Sequence, residues 1–288
     1  MITRSKKRGG QSLDPTKAVN PEKAVNAAIA AARDAGKLMR QNLNLEKRIN
    51  SSVQHDIKLE LDVRCQKLIE KRLRLAFPEF AVLGEEGIVG NPLSTDRWVV
   101  DPIDGTVNFT YGIPHACVSI ALQHQNGKAN SEALKKNPDA AFETTLGLVY
   151  DPFTDEMFTA IRGEKAKLNG TAISVSDRTR VDEAIVSIGF AKSPASLERM
   201  LPQFNVIVHK VRKVRMMGAA ALALVYVAAG RFDAYIEGGV RLWDVAAGGL
   251  ILECAGGDFF HEAIGTDHSY RVLANNGKLR KKLQMQSK

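Results

Sequence analysis

Two carboxylates three residues apart follow an apolar stretch in the middle of the chain. The segment 97–106 reads RWVVDPIDGT, with Asp101 and Asp104 separated by a proline and an isoleucine. A sharp turn here is expected to direct both side chains and the Ile103 carbonyl towards one point. Mg²⁺ prefers hard oxygen ligands of this kind. Asp-Pro and Asp-Gly pairs are also common in turns, so a turn without any chemical role is an alternative interpretation of this segment alone.

The residues after Asp104 have a second chemical meaning. Gly105 and Thr106 stand where a helix is expected to open, and the first amides of a helix have no acceptor within it. Such amides bind anions, phosphate above all. Carboxylates suited to a metal beside an anion cradle indicate phosphoryl chemistry.

Further carboxylates occur at element boundaries elsewhere. Glu85 follows the apolar residues 81–83 between two glycines, Asp244 opens an apolar helix after Leu242 and Trp243, and Asp62 opens another. A solvated turn explains Glu85 equally well, and an N-cap explains Asp62 or Asp244. Each of these signals is weak alone.

The spacing of apolar residues predicts the helices and strands that must position these groups. Helical spacing predicts helices over 24–45, 62–76, 196–208, 219–229 and 243–254, the fourth closed by Gly230. Short apolar runs predict strands at 80–83, 97–100, 116–122, 146–150, 157–161, 185–188, 211–214, 232–236 and, as the last strand, 258–260. The polar segment 126–144 is expected to be a long hairpin loop with some helix at 131–136. This irregular alternation predicts layered α/β architecture.

The net charge of +8 over 288 residues raises the question of an anionic partner. Residues 1–17 carry +4 and residues 278–288 carry +5, which leaves −1 for the rest. We therefore expect residues 1–20 to form a basic, disordered tail and 21–288 a single catalytic domain. Its lobes are expected at about 21–180 and 181–275, followed by a basic end.

Composition excludes several classes. Three cysteines, at 65, 117 and 254, form no C-x-x-C and are expected to be reduced and buried. The longest apolar run, 219–229, is too short to span a bilayer. The sequence has no G-x-S-x-G, H-x-x-x-H, P-loop or G-x-G-x-x-G pattern, which argues against a serine hydrolase, zinc enzyme, kinase or dehydrogenase. We expect a cytoplasmic protein without membrane contact.

Taken together, the motifs resemble the inositol monophosphatase family of Mg²⁺-dependent, lithium-sensitive phosphatases. The similarity runs in order from about residue 22 to 283 and includes the DPIDGT block, GLVYDP at 147–152, LNG at 168–170 and LWDVAAG at 242–248. It implies the αβαβα five-layer sandwich of the inositol monophosphatase and fructose-1,6-bisphosphatase type. It also implies two to three Mg²⁺ ions, a small phosphomonoester substrate and a homodimer.

The resemblance assigns roles by motif position. It implies a first metal held by Glu85, Asp101 and the Ile103 carbonyl, and a second held by Asp101, Asp104 and Asp244. Asp62, Glu85 and Thr106 would be catalytic, with Asp62 and Thr106 activating water. Gly105 and Thr106 would bind phosphate through their amides. The implied substrate contacts are Asp104, Ala220, Glu237 and Asp244.

Substrate choice stays open. Lys58-Leu59, Val107 and Ala219 depart from the usual family pattern, and Arg241 could either recognise a second anionic group or face solvent. Inositol monophosphate is the first candidate, with fructose 1,6-bisphosphate, histidinol phosphate and 3′(2′),5′-bisphosphate nucleotides as alternatives. An alternative of a different class is a protein that binds nucleic acid or another partner through its basic ends; for the enzyme itself we expect no nucleic-acid partner.

Overall fold

The computed structural model describes residues 19–53, 56–91, 94–127, 131–190 and 194–283. The helices within these ranges are α1 Pro21–Asn42, α2 Glu60–Ala76, α3 Thr106–Thr110, α4 Ser131–Lys136, α5 Pro194–Val208, α6 Ala220–Ala228, α7 Leu242–Cys254 and α8 Arg280–Leu283. The strands are β1 Ile49–Val53, β2 Asp56–Leu59, β3 Ala81–Gly84, β4 Gly87–Val89, β5 Asp96–Asp104, β6 Cys117–Gln125, β7 Phe142–Asp151, β8 Glu156–Ile161, β9 Lys167–Leu168, β10 Thr171–Ala172, β11 Ile185–Ile188, β12 Lys213–Arg215, β13 Ala234–Arg241, β14 Asp258–Ala263 and β15 Ser269–Asn275.

Two main sheets organise the molecule. The first has eight strands in the order β10-β9-β8-β7-β6-β5-β3-β4, antiparallel except for the parallel pair β3 and β5. The second has the order β12-β11-β13-β15-β14, with β11 parallel to both of its neighbours. A small hairpin of β1 and β2 precedes α2.

The central strands are buried on both faces, which explains their continuous apolar sequences. In β5, Trp98 and Val100 pack with α1 and α2, whereas Val99 faces the opposite way and packs with α6 and α7. Helices α6 and α7 also contact the second sheet, and α5 and α8 pack against its far side. The layers therefore run helix, sheet, helix, sheet, helix, which confirms the predicted five-layer sandwich.

Helix α1 shows how local sequence determines packing. Asn20 caps it by accepting the Lys23 amide at 3.0 Å, and its buried face is almost entirely alanine. Gly36 lies against the Tyr150 ring, where an added Cβ would come within 2.5 Å of a ring carbon. Small residues thus let α1 approach β7 closely.

Several sequence predictions need correction. Asp258–Ala263 is not the last strand, because β15 follows it and lies between β13 and β14 in the sheet. The β1–β2 hairpin, β4, β9 and β10 were not predicted. Cys254, the last residue of α7, is half-buried rather than buried, and its Sγ lies 3.5 Å from the Ile161 carbonyl oxygen.

Other predictions hold in outline. Helix α4 occupies the predicted residues 131–136, although β6 and β7 extend further and shorten the loop to 126–141. Of the expected basic tail, residues 1–18 lie outside the described ranges. The domain limits and lobes stay a prediction. No helix in the described part of the chain is long and apolar enough to cross a membrane.

Candidate active site

Asp101 and Asp104 share one face of β5 because the strand is irregular between them. Residues three apart in a regular strand point to opposite faces. Here Asp101 pairs with Ser119 and Asp104 with Cys117, so three steps on β5 match two on β6, as in a β-bulge. The strand therefore runs through both aspartates, and the predicted end of the strand at Val100 is wrong. The sharp turn comes at Gly105, whose φ is 94°.

This shared face looks towards α6 and α7. The Ser119 hydroxyl donates to the Trp243 carbonyl at 2.9 Å, and Cys117 Sγ lies 3.6 Å from Asp104 Oδ2. Asp104 also accepts the Ala220 amide at 3.1 Å and the Ala221 amide at 2.7 Å. Helix α6 begins after Ala219, which has no side-chain acceptor, so Asp104 serves as the cap of this helix from a distant strand.

Glu85 reaches the same region from the neighbouring strand. Because β3 and β5 are parallel, their carboxyl ends lie side by side, with Gly84 opposite Val100. The Glu85 amide donates to the Val100 carbonyl at 3.2 Å. Gln66 from α2 supports this turn by accepting the Glu86 amide at 2.8 Å, and only a glycine at position 84 leaves room for its side chain.

Asp62 and Asp244 occupy equivalent positions on two helices. Each is the third residue of its helix and accepts the backbone amide of the residue three before it: Leu59 at 2.8 Å and Arg241 at 2.7 Å. The N-cap interpretation is thus correct in part, because both carboxylates bond to the helix start. These bonds also fix the orientation of each side chain.

The charges of these side chains converge on Asp101. Burial raises the pKa of Asp101, and the negative charges of Glu85, Asp104, Asp244 and Asp62 raise it further. Burial also raises the pKa of Asp104 to about 7, against the lowering effect of the Ala221 and Ala220 amides. Four acidic side chains, one of them from β5 itself, therefore act on the buried Asp101.

Such a donor set fits a hard divalent cation, since carboxylates that repel one another in a buried pocket are stabilised by positive charge between them. As they stand, no three His, Cys, Asp or Glu side chains within the described ranges are arranged to hold one ion together.

The predicted phosphate cradle lies at the start of α3. The Thr106 hydroxyl donates to the Ile103 carbonyl at 2.9 Å, which ties the helix start to the bulge. An added Cβ at Gly105 would lie 2.9 Å from the His115 carbonyl oxygen. Only glycine therefore fits this turn, which brings residues 105 and 106 next to the aspartates.

Glu237 approaches from the second sheet. Its charge raises the pKa of Asp104, which places it within electrostatic reach of that carboxylate. The Tyr235 hydroxyl donates to Glu237 Oε2 at 2.5 Å, and the absence of a side chain at Gly189 gives the carboxylate its space. The Ala220 backbone, predicted as a substrate contact, donates its amide hydrogen to Asp104.

Some of these residues escaped the sequence interpretation. Cys117 and Tyr235 bond to the site residues Asp104 and Glu237. Gln66 and Ser119 bond to the backbone next to Glu85 and Asp244, and none of the four belongs to a motif of known chemistry. Only Tyr235 carried a usable signal, because it lies two residues before Glu237 on one strand face. The sequence left open whether Arg241 recognises a second anionic group or faces solvent. In the structure its guanidinium bonds to Asp267 and, at 2.6 Å, to Ser269.

Comparison with known proteins agrees with this geometry. The model of the inositol monophosphatase family matches residues 20–133 and 139–286. Inositol monophosphatase 2 of Solanum lycopersicum is 39% identical over 246 residues, covering 82% of this chain and 86% of the relative. Nus factor SuhB of Xylella fastidiosa is 38% identical over 240 residues, covering 81% and 80%.

Solved structures give the same result. The extragenic suppressor protein suhB of Bartonella henselae superimposes with a TM-score of 0.77 at 32% identity, covering 90% of this chain and 96% of that one. Inositol monophosphatase from Anabaena gives 0.74 at 29% identity, covering 92% and 95%. The chain is therefore a phosphatase that belongs to the inositol monophosphatase family.

Proposed function

We propose that the protein is a Mg²⁺-dependent phosphomonoesterase acting on a small sugar or polyol phosphate, with inositol monophosphate as the first candidate. The observation that carries this proposal is the convergence of Glu85, Asp104, Asp244 and Asp62 on the buried Asp101. Phosphate monoesters hydrolyse extremely slowly without a catalyst, because their negative charge repels the nucleophile. A purely anionic pocket would worsen that repulsion, so the acidic cluster has a purpose only with cations.

Family membership, by motif position, implies which residues would hold the metal. Glu85, Asp101 and the Ile103 carbonyl would form one site, and Asp101 with Asp104 and Asp244 a second. When bound, Mg²⁺ supplies a water of lowered pKa and positive charge opposite the phosphate. A third Mg²⁺ ion near Glu85 would bring the number of ions to three, the upper end of the two to three expected.

Asp62 and Thr106 are suited to handle the attacking water. The Leu59 amide fixes the Asp62 carboxylate, so that it can accept a proton without reorienting. The Thr106 hydroxyl gives its hydrogen to the Ile103 carbonyl, which leaves its oxygen able to accept a hydrogen bond from water. The Gly105 and Thr106 amides then receive the phosphate oxygens.

The substrate side of the site favours a polyol. Glu237, Asp104 and Asp244 are acceptors, and hydroxyl groups are their natural donors. Arg241 would be the group to bind a second phosphate, but its guanidinium is engaged by Asp267 and Ser269. A monophosphate therefore fits better than fructose 1,6-bisphosphate or a bisphosphate nucleotide.

A substrate panel tests this function. Phosphate release is measured with Mg²⁺, with and without Li⁺, from inositol 1-phosphate, fructose 1,6-bisphosphate, histidinol phosphate and 3′-phosphoadenosine 5′-phosphate. We expect the highest kcat/KM for inositol 1-phosphate and inhibition by Li⁺. A preference for either bisphosphate contradicts the substrate assignment, and no release from any substrate contradicts the function.

We also propose a homodimer in the cytoplasm. Large apolar side chains are exposed around α3 and before α6: Val107 (42%), Tyr111 (74%), Ile113 (49%) and Met216 (62%). Asn108 joins these two segments by donating to the Met217 carbonyl at 2.8 Å. A second copy would cover this patch; Tyr111→Asp should reduce the mass in light scattering to that of a monomer.

Free cysteines support the proposed location in a reducing compartment.

Binding of an acidic partner through the basic ends is less well supported. Arg280 bonds to Asp258 at 3.2 Å, and Lys282 donates to the Thr179 carbonyl at 2.6 Å. These charges of the C-terminal end are used within the fold. The N-terminal basic residues lie outside the described ranges, so catalysis remains the function we propose.

A further inference from the structure

Asp139 is a buried carboxylate contributed by the long β6–β7 loop. It follows directly on residues 134–138, which the family model leaves unmatched. Its side chain is only 3% exposed. An Arg97 guanidinium nitrogen lies 2.7 Å from Oδ1, while the Tyr270 hydroxyl and His268 Nδ1 lie 2.8 and 2.9 Å from Oδ2. Two distant segments, β5 and the start of β15, thus meet on one side chain of the loop.

The charge of Asp139 is retained in this position. Burial would raise the pKa of Asp139, but hydrogen bonding and positive charge from His268 and Arg97 outweigh burial and hold the pKa below its ordinary value. Arg97 is itself fixed, with Gln123 accepting from Nε at 2.9 Å and the Phe142 ring 3.7 Å from the guanidinium carbon. The carboxylate is therefore a rigid acceptor for His268.

His268 connects this carboxylate to the start of α7. It has a left-handed backbone, with φ 62°, and its carbonyl accepts the Leu242 amide at 2.9 Å. Its ring also lies beside the Trp243 ring, with the centroids 6.2 Å apart. Asp244 is the next residue along the helix. The side chain of His268 thus bonds to the loop, and its backbone holds the helix start that carries Asp244.

We propose that Asp139 is a positioning residue that, through His268, fixes the first turn of α7 and thereby the Asp244 carboxylate for metal binding. This inference rests on the proposed role of Asp244 as a metal ligand. The other anchors of this turn are the Ser119 hydroxyl on the Trp243 carbonyl and Asp267 on Arg241. Asp139 adds an anchor that comes from the described part of the long loop.

The matched variants are Asp139→Asn and His268→Phe. Asparagine keeps the shape but loses the charge, and phenylalanine keeps a ring beside Trp243 but loses Nδ1. Asp233→Asn is the control, because Asp233 is equally buried and bonds to Arg178 and Ser176 away from the acidic cluster. Asp244→Asn is measured alongside to test the premise.

Two readouts are needed: the Mg²⁺ concentration for half-maximal phosphate release, and the rise in melting temperature on adding Mg²⁺ without substrate. Loss of a residue that orients a metal ligand weakens metal affinity by about tenfold or more. We expect Asp139→Asn and His268→Phe each to raise the half-maximal Mg²⁺ concentration to that extent and to reduce the Mg²⁺-induced rise in melting temperature. At saturating Mg²⁺, kcat should be little changed, and the double variant should show no further loss.

The control separates positioning from stability. Asp233→Asn should lower the melting temperature and leave the half-maximal Mg²⁺ concentration unchanged. If Asp139→Asn behaves in the same way, or if it does not fold and His268→Phe leaves the Mg²⁺ requirement at the parental value, the proposal is overturned. An unchanged Mg²⁺ requirement in Asp244→Asn, or no Mg²⁺-dependent turnover in the parent, instead contradicts the proposed function.

Discussion

The Tyr235 hydroxyl donates its hydrogen to Glu237 Oε2 across 2.5 Å, joining two residues of one strand face in β13. Tyr235 is 2% exposed, and burial together with the charges of Glu237, Asp104 and Asp244 raises its pKa. It therefore stays protonated and acts as a donor throughout the neutral range. The bond fixes Glu237 in the orientation that it would present to a substrate hydroxyl.

Tyr235→Phe should weaken substrate binding selectively. A hydrogen bond to a charged group contributes about 1.5–3 kcal/mol, so loss of the fixed orientation should raise KM for inositol 1-phosphate by about tenfold. We expect little change in kcat, and no change for p-nitrophenyl phosphate, which lacks a hydroxyl for Glu237. Tyr226→Phe is the matched control. Equal effects on both substrates would show that Tyr235 has only a structural role.

Gly105→Ala should be far more damaging than the same change at another left-handed glycine. Gly163 has a similar φ, 88°, with open space around it, so Gly163→Ala should cost about 1 kcal/mol of unfolding free energy from backbone strain alone. At Gly105 the new Cβ also meets the His115 carbonyl, and we expect about 3 kcal/mol or more. Urea unfolding measures both. Similar losses would contradict the tight packing at this turn.

Much of the fold is visible in the sequence because local pattern and burial agree. The alanine stripe of α1 and the apolar runs of β5, β6 and β7 each predict their element. The acidic motifs likewise single out Glu85, Asp101, Asp104 and Asp244, whose charges meet at Asp101. The sequence pattern misplaced Asp101 and Asp104, which lie within β5 and not after its end.

What the sequence could not predict depends on pairing between distant segments. The bulge that turns Asp101 and Asp104 to one face exists only in the register with β6. The mixed composition of β15 gave no clear strand signal. The strand nevertheless lies inside the second sheet, because β13 and β14 pair with its two edges. The cap that Asp104 gives to α6 joins it to Ala220 and Ala221, which lie 116 and 117 positions further along the chain.

The metal-free protein should lose stability as the pH rises. The pKa of Asp104 is raised by burial from 3.8 to about 7, so the folded state holds a proton that the unfolded state releases. Stability from this group is therefore present at low pH and declines between about pH 4 and pH 7.

The measurement is melting temperature against pH in EDTA, for the parent and Asp104→Asn. The difference between the two curves isolates the contribution of Asp104, and Mg²⁺ should restore the parent near neutral pH by binding the folded state. Parallel curves for the two proteins would refute the raised pKa.

Arg241→Gln should not alter the choice between monophosphate and bisphosphate substrates. The guanidinium bonds to Asp267 and Ser269, so its removal should lower the melting temperature and leave the ratio of kcat/KM for fructose 1,6-bisphosphate to that for inositol 1-phosphate unchanged. A selective loss of bisphosphate turnover would instead assign Arg241 to a second anion.

We propose that the carboxylates around Asp101 form a metal-dependent catalytic site. The most direct test of this proposal is phosphate release from inositol 1-phosphate as a function of Mg²⁺ in Asp101→Asn, with Asp96→Asn as the control from the same strand, where Asp96 bonds to His124 at 2.9 Å near the surface. We predict that Asp101→Asn folds but loses activity by about a hundredfold or more, because metal-assisted charge stabilisation is worth several kcal/mol. Asp96→Asn should match the parent. Equal Mg²⁺-dependent release by Asp101→Asn and the parent would contradict the account.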